Sequence, residues 1–410
     1  MIGWVLLSRD QVTRAEAALR PDNQGVLDEV GLLALHQAFA DRFFPGTSVL
    51  HTRLRYALFV PWAMADAQGD PDRLRKYEIR ITKQLARRWD PTFKRPGGII
   101  GVDSLPEGPS QPPSVSYWGA LSRWGILRQD IASRSRVAVL RLLKIRASQQ
   151  RELHRADGEL LATPEPSPFV DLPQPPKHWL VEGQPLDFHL LPEERQFVRR
   201  HWIGLQQGNS DGRPGLSLLA QLAAAPAAKL RPLLEDSDIR PWHPAIAELV
   251  DVDDRRVLQL AKRTAAMACI ARAIYAALVE RERGRDGLPK GTEHHTNLQE
   301  ACTLHRADAS GLNLEELRQT LTMLPADLFD LLKKTQQWLR IGKSDLEPLW
   351  DDYRFAEERK KRGRARLPRT RLGRRRRGEW KSEEHPLPEM LHYRWGNVRQ
   401  LLLDLKEPVA

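Results

Sequence analysis

Cysteine is nearly absent: Cys269 and Cys302 are the only two in 410 residues, so neither a disulfide framework nor a four-cysteine zinc site can be built. That usage points to a reducing, cytoplasmic setting. No apolar run approaches the ~18 residues that span a bilayer, and the opening "MIGWVLLSRD" holds too short an apolar stretch for a signal-peptide core. A soluble, unexported protein with no membrane partner is expected. Strand patterning is thin, and no self-similar period suggests a solenoid. Catalytic signatures are missing too. There is no Gly-x-Ser-x-Gly elbow and no His-x-Lys pair followed by Asp, and "RIGKS" (Arg340 to Ser344) has Gln337 where a phosphate loop needs its first glycine. No cofactor is expected, and the balance favours a non-catalytic role.

What the chain does have is positive charge, concentrated in one place. From Arg359 to Lys381, thirteen Lys or Arg stand against the single Glu379, a local balance of +12 in a chain whose total is +11. The remainder is close to neutral. The basic residues are Arg359, Lys360, Lys361, Arg362, Arg364, Arg366, Arg369, Arg371, Arg374, Arg375, Arg376, Arg377 and Lys381. Guanidinium groups bind phosphate through paired N–H donors, so such a block suits a nucleic-acid backbone, and Trp380 beside it could stack on an exposed base. Nucleic acid, taken as double-stranded DNA, is therefore the expected partner. Gly363, Pro368, Gly373 and Gly378 interrupt the run, which predicts a segment that holds no helix alone and orders only on binding. Two other readings stay open: a solubilising loop, or a loop that docks an acidic protein subunit. A membrane surface fits less well, because the run has no amphipathic or lipidated anchor beside it.

A single core stops growing at roughly 250–300 residues, so this chain should hold two or three units, and its 41% hydrophobic content supports real cores. Four Pro and Gly clusters divide it: Asp90 to Pro113, Pro164 to Pro176, Gln207 to Gly215 and Gly284 to Gly291. The expected fold is mainly α: an N-terminal helical module (1–95), a candidate winged-helix-like unit (96–165), a helical domain (166–352), and a basic segment with a terminal helix (353–410). Apolar spacing predicts helices over Val26–Phe44, Ser48–Ala67 with Thr47 as its cap, and Pro71–Trp89 with Asp70 as its cap. The clearest is Asp253–Arg283, whose Val257, Leu260, Thr264, Met267, Ala271, Ile274 and Leu278 share one face. Further helices are expected over Pro192–Trp202, Leu314–Met323, Ala326–Leu339 and Glu389–Leu405.

The stretch "PSVSYWGALSRWGILRQD", Pro113 to Asp130, is organised like a recognition helix entering a wing. Trp118, Leu121 and Trp124 would lie inward, Gly125 would stop the helix, and Arg123 and Arg128 would face phosphates or base edges. Asp157-Gly158 supplies a hairpin turn for the wing. An ordinary helix buried by two tryptophans fits the same residues. His294, His295, Cys302 and His305 fall within twelve residues but match no standard zinc spacing, so no metal is expected. Asp351 and Asp352, just ahead of the basic run, are the residues on which a metal-dependent nuclease would be built.

"GWVLLSRD" (Gly3 to Asp10), "AFADRFFPGTSVLHTRLRYALFVPW" (Ala38 to Trp62), "GGIIG" (Gly97 to Gly101) and "SYWGALSRWGI" (Ser116 to Ile126) resemble the bacterial family known as domain of unknown function 6361. The resemblance covers about the first third of the chain and brings no catalytic residue with it. It implies genes near helicase and nuclease genes of phage-defence or mobile islands. Within the stretch, Arg53 and Arg55 suit either a phosphate groove or structural pairs with carboxylates such as Asp41. The expected function is thus a non-catalytic DNA-binding accessory protein of such a system, with helicase or nuclease subunits as partners. The alternatives are the metal-dependent nuclease and the protein-docking scaffold.

Overall fold

In the computed structural model, which describes residues 28–87, 97–153, 166–207, 215–289, 293–342, 344–381, 385 and 388–406, the chain is mainly α, as the apolar spacing requires. Seventeen α-helices and two 3-10 turns form among these residues, and β pairing there is limited to two isolated bridges, Leu127 with Phe169 and Gln206 with Leu216. The chain divides into two compact units, Met1–Phe39 with Arg256–Tyr393, and Ala40–Arg255 with Arg394–Ala410. These cut across the segments 1–95, 96–165, 166–352 and 353–410. Two of the crossings fall inside helices, Leu33–Phe43 and Val252–Arg285, because a Pro or Gly cluster stops a helix without separating one core from another.

The unit formed by Ala40–Arg255 and Arg394–Ala410 has the helix Tyr56–Asp66 at its centre, with every residue from Tyr56 to Met64 buried. An apolar helix with no polar face must be enclosed on all sides. It starts eight residues later than expected, because Thr47 does not cap it: the Thr47 hydroxyl donates to the Phe44 carbonyl at 2.7 Å. Pro71–Arg87 is amphipathic and begins at its predicted cap, where Asp70 accepts from the Asp72 and Arg73 amides. The two arginines ahead of the central helix are structural. Arg53 meets Asp404 at 2.8 Å, while buried Arg55 holds Asp187 and Glu194, each at 2.7 Å. Asp41 pairs instead with Arg394.

Winged-helix geometry does not appear at Pro113–Asp130. The stretch forms two short helices, Pro113–Ser116 and Trp118–Arg123, joined at buried Tyr117, whose hydroxyl donates to the Arg53 carbonyl at 2.7 Å and accepts from the Thr52 amide at 3.1 Å. Leu121 and Trp124 are buried as expected, and Trp118 is half-buried. The candidate wing around Asp157 lies outside the described residues. Gly46 closes the turn before this region at φ +79°, and a Cβ there would fall 2.7 Å from the Trp124 indole nitrogen, so only glycine fits.

In the unit formed by Met1–Phe39 and Arg256–Tyr393, the long helix Val252–Arg285 provides the core. All seven residues of its expected face are buried, and so are Ala265, Ala268, Cys269, Ile270, Tyr275 and Val279 on its other sides. Small side chains allow that enclosure. Helix Ala326–Ile341 packs against His294–Ser310, Leu314–Thr320 and Glu347–Lys361. A Thr335 to Tyr353 hydroxyl pair at 2.9 Å and the Gln336 amide on the Leu312 carbonyl at 2.6 Å fix those contacts.

His51 gives the Ala40–Arg255 unit a defined acid response. It is 1% exposed, stacks on Tyr117 at 4.3 Å, accepts from the Ser48 amide on Nδ1, and presents Nε2 to the Ser116 carbonyl. Only the neutral ring satisfies both bonds. Burial lowers its pKa from 6.5 to about 4, against the Ser116 carbonyl and with a small push from Arg394. The unfolded chain therefore takes up a proton below pH 6.5 that the folded chain refuses, and stability is lost as pH falls from about 6.5 to about 4. In denaturant titrations over that range, the His51→Asn variant is expected to lack a slope of about 1.4 kcal/mol per pH unit that the parent protein shows.

Candidate nucleic-acid interface

Helix Glu347–Lys361 positions the basic run. Its core-facing residues are Leu349, Tyr353 and Glu357, four apart, so a carboxylate occupies the third place on an apolar stripe. Burying a carboxylate is costly unless donors surround it. Glu357 has three: the Tyr275 hydroxyl at 2.6 Å, the Arg366 amide at 2.9 Å and the Leu367 amide at 2.7 Å. Burial pushes its pKa up, and these donors only partly reverse the shift. Two of the three belong to the basic run itself, which is thereby folded back onto the helix after a 3-10 turn at Arg362–Arg364.

Arg377 closes the fold-back from the other side. It is 1% exposed, its Nε meets Asp286 at 2.6 Å, and its Nη1 donates to the Arg366 and Pro368 carbonyls. Between these anchors lies a helix, Arg371–Gly378, capped by the Thr370 hydroxyl accepting from the Gly373 amide at 3.1 Å. At Gly373 a Cβ would sit 2.0 Å from the Pro368 carbonyl oxygen, so the glycine that reads as a helix breaker is what lets the helix approach. Arg283 completes the far end, donating to the Arg377 and Trp380 carbonyls at 2.5 and 2.7 Å. The expected mobile segment without a helix of its own is therefore not what forms. Long-range acids and carbonyls supply the structure that local propensity withholds.

The arginines and lysines fall into two groups. One is neutralised inside the unit: Arg359 by Asp327, Lys360 by Asp28, Lys361 and Arg366 by Glu29, Arg369 by Glu282 and Glu347, Arg377 by Asp286. Although burial alone would raise the Glu29 pKa, the Lys361 and Arg366 cations hold it below the ordinary carboxylate value. The outer pair Arg375 and Arg376 share Glu379, an exposed contact of small energetic weight. The other group points away. Arg362, Arg364 and Arg371 are exposed, and among the described residues their side chains have no hydrogen-bond or ion-pair partner. Arg374 is exposed too and touches only a carbonyl, that of Asp286. Helix spacing puts Arg371, Arg374 and Arg375 on one side; Arg376, about 140° round from Arg371, reaches the Gly363 carbonyl and ties the helix to the Arg362–Arg364 turn. Lys381 is exposed at the end of the run.

Trp380 is not available to a base. It is 6% exposed and stacked on His294 at 5.1 Å, with the Arg283 guanidinium over its ring. Arg123 and Arg128 belong to the other unit, where Arg123 donates to the Gln206 carbonyl and Arg128 pairs with Asp130 at 2.5 Å. The His/Cys grouping does not converge. His294 is buried on Trp380, while His295 and Cys302 line a separate open cleft of about 610 Å³ with Arg306 and Trp338. Asp351 is engaged by Arg354 at 2.9 Å; Asp352 is half-buried, and burial raises its pKa.

Sequence reasoning missed Phe355, Glu357 and the structural use of Arg377. A signal for Glu357 exists: its place on the Leu349–Tyr353 stripe marks a buried acid that must find donors. The fold is mainly helical. A family model described as a family of unknown function (DUF6361) matches residues 1–345, and the chain belongs to that family. The match runs well beyond the first third over which the resemblance was drawn, yet stops short of the basic run. No curated protein and no solved structure matches the chain.

Removing a buried, paired arginine strands its partners. Arg377→Ala should therefore lower stability by about 3–5 kcal/mol, whereas exposed Arg371→Ala should change it by less than about 0.5 kcal/mol, both read from chemical denaturation. Gly373→Ala should resemble Arg377→Ala in direction.

Proposed function

We propose that this protein binds the phosphate backbone of nucleic acid through the outward cations of its 359–381 region, without catalysing chemistry on it. The observation that supports this most is the division of the run: exposed Arg362, Arg364 and Arg371, with no partner among the described residues, stand beside Arg374 on a folded frame. Arginines needed only for stability would be buried or paired, as Arg366 and Arg377 are. A preordered cationic surface loses little conformational freedom on binding and releases counterions from the backbone it meets. Contacts of this kind give affinity and little sequence information. The role is then an accessory one, delivering or retaining a nucleic acid for another subunit. A helicase or nuclease of a bacterial defence or mobile element is the partner that the family resemblance suggests.

The test is binding of a labelled oligonucleotide across salt concentration. The intact protein should show a log–log slope of about −3 to −4.5, that is about −0.7 on a single strand or about −0.9 on a duplex for each of four or five phosphates. Replacing Arg362, Arg364, Arg371 and Arg374 together by Ala should remove most of that slope while leaving the thermal unfolding profile in place. Failure of the intact protein to bind at low salt would reject the reading and turn the search to acidic protein partners.

A further inference from the structure

The same region carries an aromatic side chain that neither folding nor phosphate binding requires. Phe355 is 60% exposed and is, among the described residues, the sole exposed Phe, Tyr or Trp. It lies on helix Glu347–Lys361, one turn before Arg359 and seven residues before Arg362. Its setting is ordered. The Arg354 guanidinium lies 4.8 Å from its ring centre and 5.2 Å from that of Trp350, and Arg369 lies 3.9 Å over Trp350. Arg354 cannot swing freely, because Asp351 and Glu358 hold it at 2.9 and 2.7 Å. The result is a ladder of alternating guanidinium and aromatic groups, Arg369, Trp350, Arg354 and Phe355, whose last ring is open to solvent.

We infer that Phe355 is a stacking platform for an unpaired base, so the nucleic acid this face takes is single-stranded. This deepens the interface reading above and rests on it. In a duplex the bases are stacked on one another and only groove edges are offered, so an exposed ring beside a phosphate-binding surface gains nothing from paired DNA. On a single strand, each base has a free π-face, and a ring on the helix that leads through Arg359 into the Arg362–Arg364 turn can receive it while the phosphates run along the cations. Stacking of this kind tolerates any base, which agrees with a surface whose other contacts are guanidinium groups aimed at phosphate. The guanidinium beneath Phe355 favours the arrangement, since cation–π contact anchors the ring without covering its outer side.

The experiment compares three probes of equal length: oligothymidylate, the corresponding abasic phosphodiester strand, and a duplex. The intact protein should bind oligothymidylate most tightly. Phe355→Ala should weaken oligothymidylate binding by about five- to a hundred-fold and change the abasic strand and the duplex by less than about two-fold, with the salt slope unaltered. Phe355→Leu, which keeps apolar bulk and removes the ring, should fall with Phe355→Ala; Phe355→Trp should retain binding. Equal losses on oligothymidylate and the abasic strand would overturn the inference, because the ring would then be serving the fold. So would unchanged oligothymidylate binding, including the case in which Phe355→Ala disturbs only self-association or a protein complex. Either result with phosphate-dependent binding intact rejects the stacking platform alone, whereas no binding to any probe rejects the interface itself.

Discussion

Burying the Glu357 carboxylate on the apolar side of a helix creates a demand for donors, and the chain meets it with its own basic run. Once the Arg366 and Leu367 amides are drawn to that carboxylate, the chain must turn back after Lys361, and the turn exposes the carbonyls of Arg366 and Pro368 to the Arg377 guanidinium. Each contact makes the next one geometrically available. Hydrogen bonds to charged groups in a low-dielectric setting are strong when complete and costly when half-made, so the fold-back has little freedom to form in part.

This constraint decides where charge is left over. Six acids of the unit, Asp28, Glu29, Glu282, Asp286, Asp327 and Glu347, are spent on pairing cations of the run, some buried like Arg377 and some exposed like Arg359. What remains positive is a smaller and better-defined set, at the 3-10 turn and along one side of the short arginine-rich helix. A run that looks uniform in composition is thus half scaffold and half surface. That division explains why glycine at 373 and threonine at 370 sit among arginines: one permits close approach to Pro368, the other caps the helix.

The helical class, the buried face of the long helix and the Asp70 cap were all legible, because each depends on residues within one or two turns of each other. The basic run was legible as charge and illegible as structure, since its partners lie at Glu29, Tyr275, Glu282 and Asp286, far away in sequence. Trp380 illustrates the error most clearly. Placed beside thirteen cations it reads as a base-stacking residue, yet the guanidinium of distant Arg283, which donates to its carbonyl and lies over its ring, and the ring of distant His294 enclose it. Phe355 had the opposite history: its neighbours drew attention as carboxylates, and only the burial of Tyr353 and Glu357 shows that the phenyl ring points outward. The Pro113–Asp130 stretch was legible as a buried double-tryptophan element; it forms two short helices that meet at Tyr117, whose hydroxyl donates to the Arg53 carbonyl, and the wing expected at Asp157-Gly158 lies outside the described residues.

The most direct test of the central claim, that the arginine-rich region is a folded frame before any ligand arrives, is native-state hydrogen exchange of the free protein at low salt. The amides of Arg366 and Leu367, held by Glu357, and of Gly373 and Arg374, held by Thr370, should exchange far more slowly than an unstructured chain, and Glu357→Ala should release the first pair. Exchange of all four at the rate of an unstructured chain in the intact protein would contradict the claim and return the region to a tail that folds only on binding.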